Sequence, residues 1–284
     1  TNSGGIHNGL IVVGGSGGGS RGGSHSSAKK QSASGSRTAI KTQEDGTKIT
    51  TTTDASGSVK MEVNLSASAV AAAEESGGAV ALPISAVTAA SDVNSAWAIT
   101  VHTEKDQVVN VAIPTVSPTA GTVAVVVNED GSTQVVKGSV PTENSVVAPL
   151  SNGATVKIVD NSKNFADVPQ GAWFEEAVDF VSARDLFHDT TETTFAPDQP
   201  MTYAVMMTAL AGFDGEETEG GATWYEKGAR WAAANGISDG ADPNSGITCE
   251  QSLTMLWKYQ GSPAAADASA DQPSDTQKAM NWAV

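Results

Sequence analysis

The side chains that most often do chemistry are few in this chain and far apart. It has four histidines and a single cysteine, Cys249. One cysteine supports neither an intrachain disulfide nor a cysteine-rich zinc site, and no neighbouring His or Lys in sequence argues for an activated thiol. Ile11-Val12-Val13 followed by Gly14-Gly15-Ser16-Gly17 has the outline of the strand and glycine turn that cradle a dinucleotide. That chemistry needs a helix straight afterwards, whose N-terminus holds the pyrophosphate. SRGGSHSSAKK follows instead, so the segment reads as linker. Asp239, Asp242 and Asn244 begin a pattern like a calcium loop, but Gly246 occupies the third ligand position and Leu253 stands where the bidentate glutamate belongs. That segment reads as a turn. A glycosidase needs two carboxyls poised across a cleft, and neither such a pair nor a Ser/His/Asp arrangement emerges from the spacing. His102 stands alone and reads as a surface residue. The expectation is a protein that is not an enzyme, with no cofactor and no metal.

Composition narrows the partners. Sixteen basic and 32 acidic side chains among 284 residues give a net charge of −16. A nucleic-acid or anionic-membrane partner requires a basic footprint that this balance does not supply. No apolar run approaches the ~20 residues of a membrane span, so no membrane insertion is expected. The 29 glycines against 15 aromatic residues are a thin ration for one large core. Thr1 opens the chain with no charged and apolar leader after it, and the chain reads as a piece of something longer.

The elements that must carry any site fall into regions of different character. Only Trp97 among the aromatic residues precedes Phe165. Residues 1–160 hold 10 basic and 13 acidic side chains, whereas 161–284 hold 6 and 19, so net charge passes from −3 to −13 across a boundary near 161–164. Residues 1–58 are mostly Gly, Ser and Thr and read as a flexible segment, with 14–37 as a tether, because they offer too little apolar surface to offset backbone ordering. Residues 59–160 alternate apolar and polar in short valine-rich runs. Val59–Val63, Ala98–Val101, Gly121–Val127, Gln134–Lys137 and Gly153–Val159 read as strands of a small all-β module, a sandwich or meander. Asp130-Gly131 signals a hairpin within it, and Ala67–Glu75 is a helix-like interruption.

Residues 161–284 repeat themselves, the pattern to seek first. At an offset of 51, Trp173 falls on Trp224, Phe180 on Trp231, Asp185-Leu186 on Gly236-Ile237 and Asp189 on Gly240. After a five-residue deletion Met201-Thr202 falls on Ile247-Thr248 and Leu210 on Leu256. Each copy, 161–215 and 221–262, reads as helix, loop, helix, with Thr202 or Thr248 as N-cap and a capping box only at Thr248-Cys249-Glu250-Gln251. Lys278–Ala283 matches Lys227–Ala232, so 263–284 reads as the start of a third copy that breaks off inside its first helix. Trp173, Trp224 and Trp231 recur at helical spacing and read as core packing. The fold class expected overall is α+β.

Several of these residues, in order and in duplicate, resemble the S-layer homology (SLH) domain of Gram-positive surface proteins. Phe165-Ala166-Asp167-Val168 matches its F-x-D-V opening, Trp173 with Ala177-Val178 its W-x-x-x-A-(I/V), and Phe195-Ala196-Pro197 its F-x-P. Gly236-Ile237-Ser238-Asp239-Gly240 matches its G-(I/L)-x-x-G. The resemblance covers roughly 165–284 and implies helical SLH repeats. It also implies that such repeats hold the protein outside the cell, on the wall or S-layer, by binding secondary cell-wall polysaccharide, often pyruvylated, with other surface proteins as further partners. The contact residues it implies are Asp167, Trp173, Tyr203, Trp224, Gly236, Gly240 and Cys249. In the family an arginine opens the second helix and pairs with the anionic sugar. Here that place holds Tyr203 and then Cys249, while Asp185 and Asp189 replace the glycines of the first copy. Two other readings follow: an envelope assembly protein whose repeats no longer bind sugar, and the anchoring end of a larger surface hydrolase.

Overall fold

The computed structural model describes residues 35–91, 97–103, 108–187, 191, 193–264 and 274–283. The glycine turn after Val13, most of the tether, and Asp189 lie outside these. The chain divides into a β unit that ends at Asn161 and a helical unit that begins at Ser162.

Among the described residues the β unit runs β1 (Arg37–Thr42), β2 (Lys48–Thr53), β3 (Val59–Asn64), α1 (Ala67–Ser76), β4 (Val80–Ala81), β5 (Val87–Thr88), β6 (Trp97–His102), β7 (Val109–Val116), β8 (Thr122–Val127), β9 (Thr133–Val135), β10 (Val140–Pro141), β11 (Ser145–Leu150) and β12 (Ala154–Asp160). One sheet has the order β1-β2-β3-β6-β12-β8-β9, the other β10-β11-β7-β4, with β5 also on β7. Side chains alternate in and out along the strands. Val109, Val111 and Ile113 of β7 and Val146, Ala148 and Leu150 of β11 meet Ile49, Val63, Val101, Val156 and Ile158 of the other sheet in a single apolar core. The hairpin signalled by Asp130-Gly131 joins antiparallel β8 and β9.

Two expectations need correction. The flexible segment does not extend to residue 58: β1 and β2 form an antiparallel ladder from Arg37↔Thr53 to Thr42↔Lys48, and β2 pairs onward with β3. Threonine is β-branched and fits a pleated, half-buried surface, so KITTTT is strand-forming once Ile49 is buried beside Val63. Nor is the module all-β. The pairs β3–β6, β4–β7 and β5–β7 are parallel, and a parallel neighbour requires a crossover connection. Helix α1 lies in the crossover from β3 to β6, buries Val70 and Ala73 in the core, and is capped by Ser66 and by Gly77 in the left-handed region.

Strands β7 and β11 lie outside the sequence expectation although their alternation is the clearest in the unit. Each carries a proline, Pro114 or Pro149, which argues against a central strand. The register shows why both are tolerated. Against one side of β7, β4 pairs at Val111-Ala112 and β5 at Thr115-Val116, so Pro114 falls between them. Strand β10 pairs with β11 only at Val146-Val147 and stops short of Pro149.

The helical unit contains α2 (Glu175–Ala183), α3 (Tyr203–Phe213), α4 (Glu226–Ala234), α5 (Cys249–Tyr259) and α6 (Asp275–Trp282) among the described residues. Helices α2 and α4 have matching bounds at the 51-residue offset, and α3 and α5 match at 46. The turns match as well. Asp185 (φ 49°) and Gly236 (φ 67°) end the first helices in the left-handed region, and Ala196 (φ 58°) and Asp242 (φ 47°) occupy it in the loops. The N-cap hydroxyls of Thr202 and Thr248 accept from Val205 and Gln251, with the reciprocal capping box only at Thr248.

Met206, Met207 and Leu210 of α3 share a core with Ala232 of α4, Ile237 and Met255 of α5, edged by Trp231 and Tyr259. Helices α3 and α4 meet at a glycine. A Cβ on Gly228 would lie 2.7 Å from Thr208 Cα and 2.8 Å from Thr208 Oγ1. Alanine favours a helix over glycine by about 1 kcal/mol, but the neighbour here is backbone and does not yield cheaply. Gly228→Ala is therefore expected to lower the stability of the helical unit by roughly 1–3 kcal/mol. Chemical denaturation checks this, and a stabilised variant contradicts it.

Candidate functional site

The two tryptophans at matching positions are the most exposed large apolar side chains among the described residues of the helical unit. Trp173 is 93% exposed and Trp224 58%. The core-packing expectation therefore holds only for Trp231, which lies half-buried against the α3–α5 core with its ring 6.0 Å from that of Tyr259. The difference arises at the helix boundary. The helices begin at Glu175 and Glu226, with Phe174 and Tyr225 as N-caps. Trp173 and Trp224 precede the caps, so helical spacing counted from them starts outside the helix.

Both tryptophans are held in the same way. Trp173 meets Phe174 edge-on at 5.5 Å and 84°, and Trp224 meets Tyr225 at 5.3 Å and 88°. In front of each, a backbone amide is clamped by the first-turn glutamate. Gly171 N donates to Glu175 Oε2 and Ala222 N to Glu226 Oε2, each at 2.6 Å. A carboxylate at this place also complements the positive end of the helix dipole.

Asp167 fastens the loop that follows α2. Its two carboxylate oxygens accept from Phe195 N at 2.9 Å and Ala196 N at 2.7 Å, while Phe165 stacks at a tilt on Phe195 at 5.5 Å. The bond from Phe195 leads in holding its pKa below the ordinary carboxylate value; burial opposes it, and the bond from Ala196 adds to the lowering.

Tyr203 opens α3 and is half-buried, its ring against the methionine core rather than free at a helix start. The amides there are closed by the α4–α5 loop: Tyr203 N donates to Ser245 O at 3.1 Å and Ala204 N to Pro243 O at 2.7 Å. Thr202 and Gly246 form an antiparallel bridge, and Ile247 N donates to Met201 O at 2.9 Å. This loop has a turn's bonding, with Ser245 N on Asp242 O and Ala241 N on Asp239 Oδ1. Cys249 is exposed in the first turn of α5. Gly236 is exposed, and Gly240 (φ 73°) lies over the Ala229 carbonyl, where a Cβ would sit at 3.5 Å. The structure thus brings Tyr203 to the loop between Gly240 and Cys249, while the ring contacts of Trp173 and Trp224 are with Phe174 and Tyr225.

The cations of this unit are largely engaged. Arg184 is fully buried, its guanidinium 3.8 Å above the Phe180 ring and Nη1 donating to Phe180 O at 2.9 Å. Burial lowers its pKa to about 10, so it stays charged at neutral pH. The second pair has Asn235 here, whose Nδ2 makes the same bond to Trp231 O at 2.9 Å. Arg230 pairs with Glu226, Lys163 with Asp185, and Lys258 and Lys278 with Asp275. Sequence gave no signal for one further link, from Tyr259 OH to Asp214 Oδ1 at 3.0 Å, where burial and the Asp214 carboxylate push the phenol up to about 12.

In comparisons with known proteins, the family model of the S-layer homology domain matches residues 164–204. That span holds Asp167, Trp173 and Tyr203 and stops before Trp224, Gly236, Gly240 and Cys249. No curated protein and no solved structure matches the chain.

Asp167 supplies a pH test of the loop. Its folded pKa is depressed, so its contribution is present above the ordinary value of about 4 and is lost as pH falls through the folded one. Asp167→Asn is expected to melt lower than the parent at pH 7, with the gap closing below about pH 4. Melting curves from pH 7 to pH 3 check it, and a gap that persists in acid contradicts it.

Proposed function

We propose, from the premise that residues 164–204 are an S-layer homology domain, that the helical unit binds secondary cell-wall polysaccharide and thereby anchors a non-catalytic protein. The coarser statement stands on the family match: such a domain marks a protein of the cell surface, attached through cell-wall polymers. The finer one takes its support from Trp173, an almost fully exposed indole inside the matched span. An exposed indole offers a large apolar face with a polar N–H, a combination suited to stacking on a sugar ring. The matching geometry around Trp224 supports reading 221–262 as a second repeat, and the likeness of Lys278–Ala283 to Lys227–Ala232 supports reading α6 as the first helix of a third. The β unit would then be what the wall displays, with partners among other surface proteins.

A second reading is favoured by the buried state of Arg184 and by the uncharged starts of α3 and α5, at Tyr203 and Cys249. No guanidinium fork faces outward there for an acidic sugar, which fits repeats retained for envelope assembly rather than for sugar binding.

Sedimentation with Gram-positive cell walls separates the two. Under the anchoring reading the chain pellets with intact walls and stays in solution once the secondary polysaccharide is stripped with acid. Failure to pellet with intact walls contradicts anchoring and leaves assembly, which concentration-dependent self-association in sedimentation velocity would support.

A further inference from the structure

We infer that Leu10–Val13 adds as a further strand along the open edge of β1. The inference concerns the β unit and stands apart from the anchoring reading.

Strand β1 is the outermost of its sheet and pairs with β2 alone. Antiparallel neighbours alternate between residue pairs that exchange hydrogen bonds and pairs that do not. Gln43 N donates to Thr47 O at 2.8 Å, the next pair in register after Thr42↔Lys48. Counting back from it, Lys41, Ala39 and Arg37 turn their amides and carbonyls to β2. Thr42, Ile40 and Thr38 turn theirs to the open edge, where no partner meets them among the described residues. The side chains of these three share one face, and Ile40 there is 47% exposed. An edge of this kind is a template for another strand, and a strand laid on it buries Ile40.

The sequence offers the occupant. Leu10-Ile11-Val12-Val13 is the only run of large aliphatic residues before β1, and three of the four are β-branched and strand-forming. Its dinucleotide reading fails for want of a helix, which leaves the run without a role. Residues 14–36 put 23 residues of Gly/Ser-rich chain between the run and β1. A chain of that composition spans about 26 Å root-mean-square, against about 20 Å for a six-residue strand. The run therefore reaches either end of the edge, and the closure penalty grows only slowly with loop length.

Charge decides between this occupant and a second copy of β1. Arg37 and Lys41 lie together on the face opposite Ile40. Two β1 edges paired antiparallel keep like faces together, so four cations would crowd one side of the joined sheet. The nearest acids in sequence, Glu44 and Asp45, belong to the turn beyond the strand, and Asp45 is already bonded to Thr47. No Asp, Glu, Lys or Arg precedes Arg21, so Leu10–Val13 brings no charge to the edge.

Amide hydrogen exchange on the whole chain tests this, with the β2-bonded amides of Ala39 and Lys41 as internal reference. The amides of Thr38, Ile40 and Thr42 are expected to exchange at least about tenfold more slowly than in a free peptide, at a rate independent of protein concentration. Successive amides of a strand face opposite sides, so only one of Ile11→Pro and Val12→Pro removes a donor aimed at β1. That variant should return the three amides to the free-peptide rate, the other should change them little, and both should leave Ala39 and Lys41 protected. Free-peptide exchange of Thr38, Ile40 and Thr42 in the parent overturns the inference. Protection that survives both variants, or that grows with protein concentration, also overturns it and gives the edge to another segment or to a second copy. None of these outcomes bears on anchoring, which the wall sedimentation reads separately.

Discussion

The first turn of α3 is completed by a loop from the next helical pair. A helix start leaves four amides without intrahelical partners, and Thr202 covers only one of them, that of Val205. Two others, on Tyr203 and Ala204, are met by the carbonyls of Ser245 and Pro243. The bridge between Thr202 and Gly246, and the bond from Ile247 to Met201, lock the same two segments side by side. A buried amide without a partner costs about 1–3 kcal/mol, so α3 and the α4–α5 loop have strong reason to form together.

The packing of α4 on α3 follows from that lock. With the loops fixed at one end, the helices approach closely at Gly228 and Thr208, and any Cβ at 228 meets Thr208 backbone. The fit carries a cost, since Thr208 Oγ1 is buried with no hydrogen-bond partner. The cations go to the same internal work, through the burial of Arg184 and the ion pairs of Lys163, Arg230, Lys258 and Lys278. The unit carries a net charge of −13, and at two equivalent places it exposes a tryptophan.

Much of this is legible in the sequence, for reasons that depend on locality. Thr202 and Thr248 announce their helices because capping is decided within four residues, and the alternation in β3, β6, β8 and β12 is a local pattern too. The features that escape depend on distant partners. KITTTT looks like a polar linker until Ile49 meets Val63 in the neighbouring strand. Pro114 and Pro149 look like breakers until the register shows that no strand pairs with them on one side. At the candidate site, the repeat marks Trp173 and Trp224 as equivalent, but whether they point inward rests on a boundary two residues wide. Gly228 and Arg184 carry no mark that separates a close helix contact or a buried guanidinium from a surface glycine and a solvated charge.

Amide hydrogen exchange at Tyr203 and Ala204 tests the interlock most directly. If the α4–α5 loop closes the start of α3, both amides are protected and exchange together with those of α4, through a shared opening rather than by fraying of one helix end. Exchange of both at the rate of a free helix terminus, while the α4 amides stay protected, would contradict the interlock.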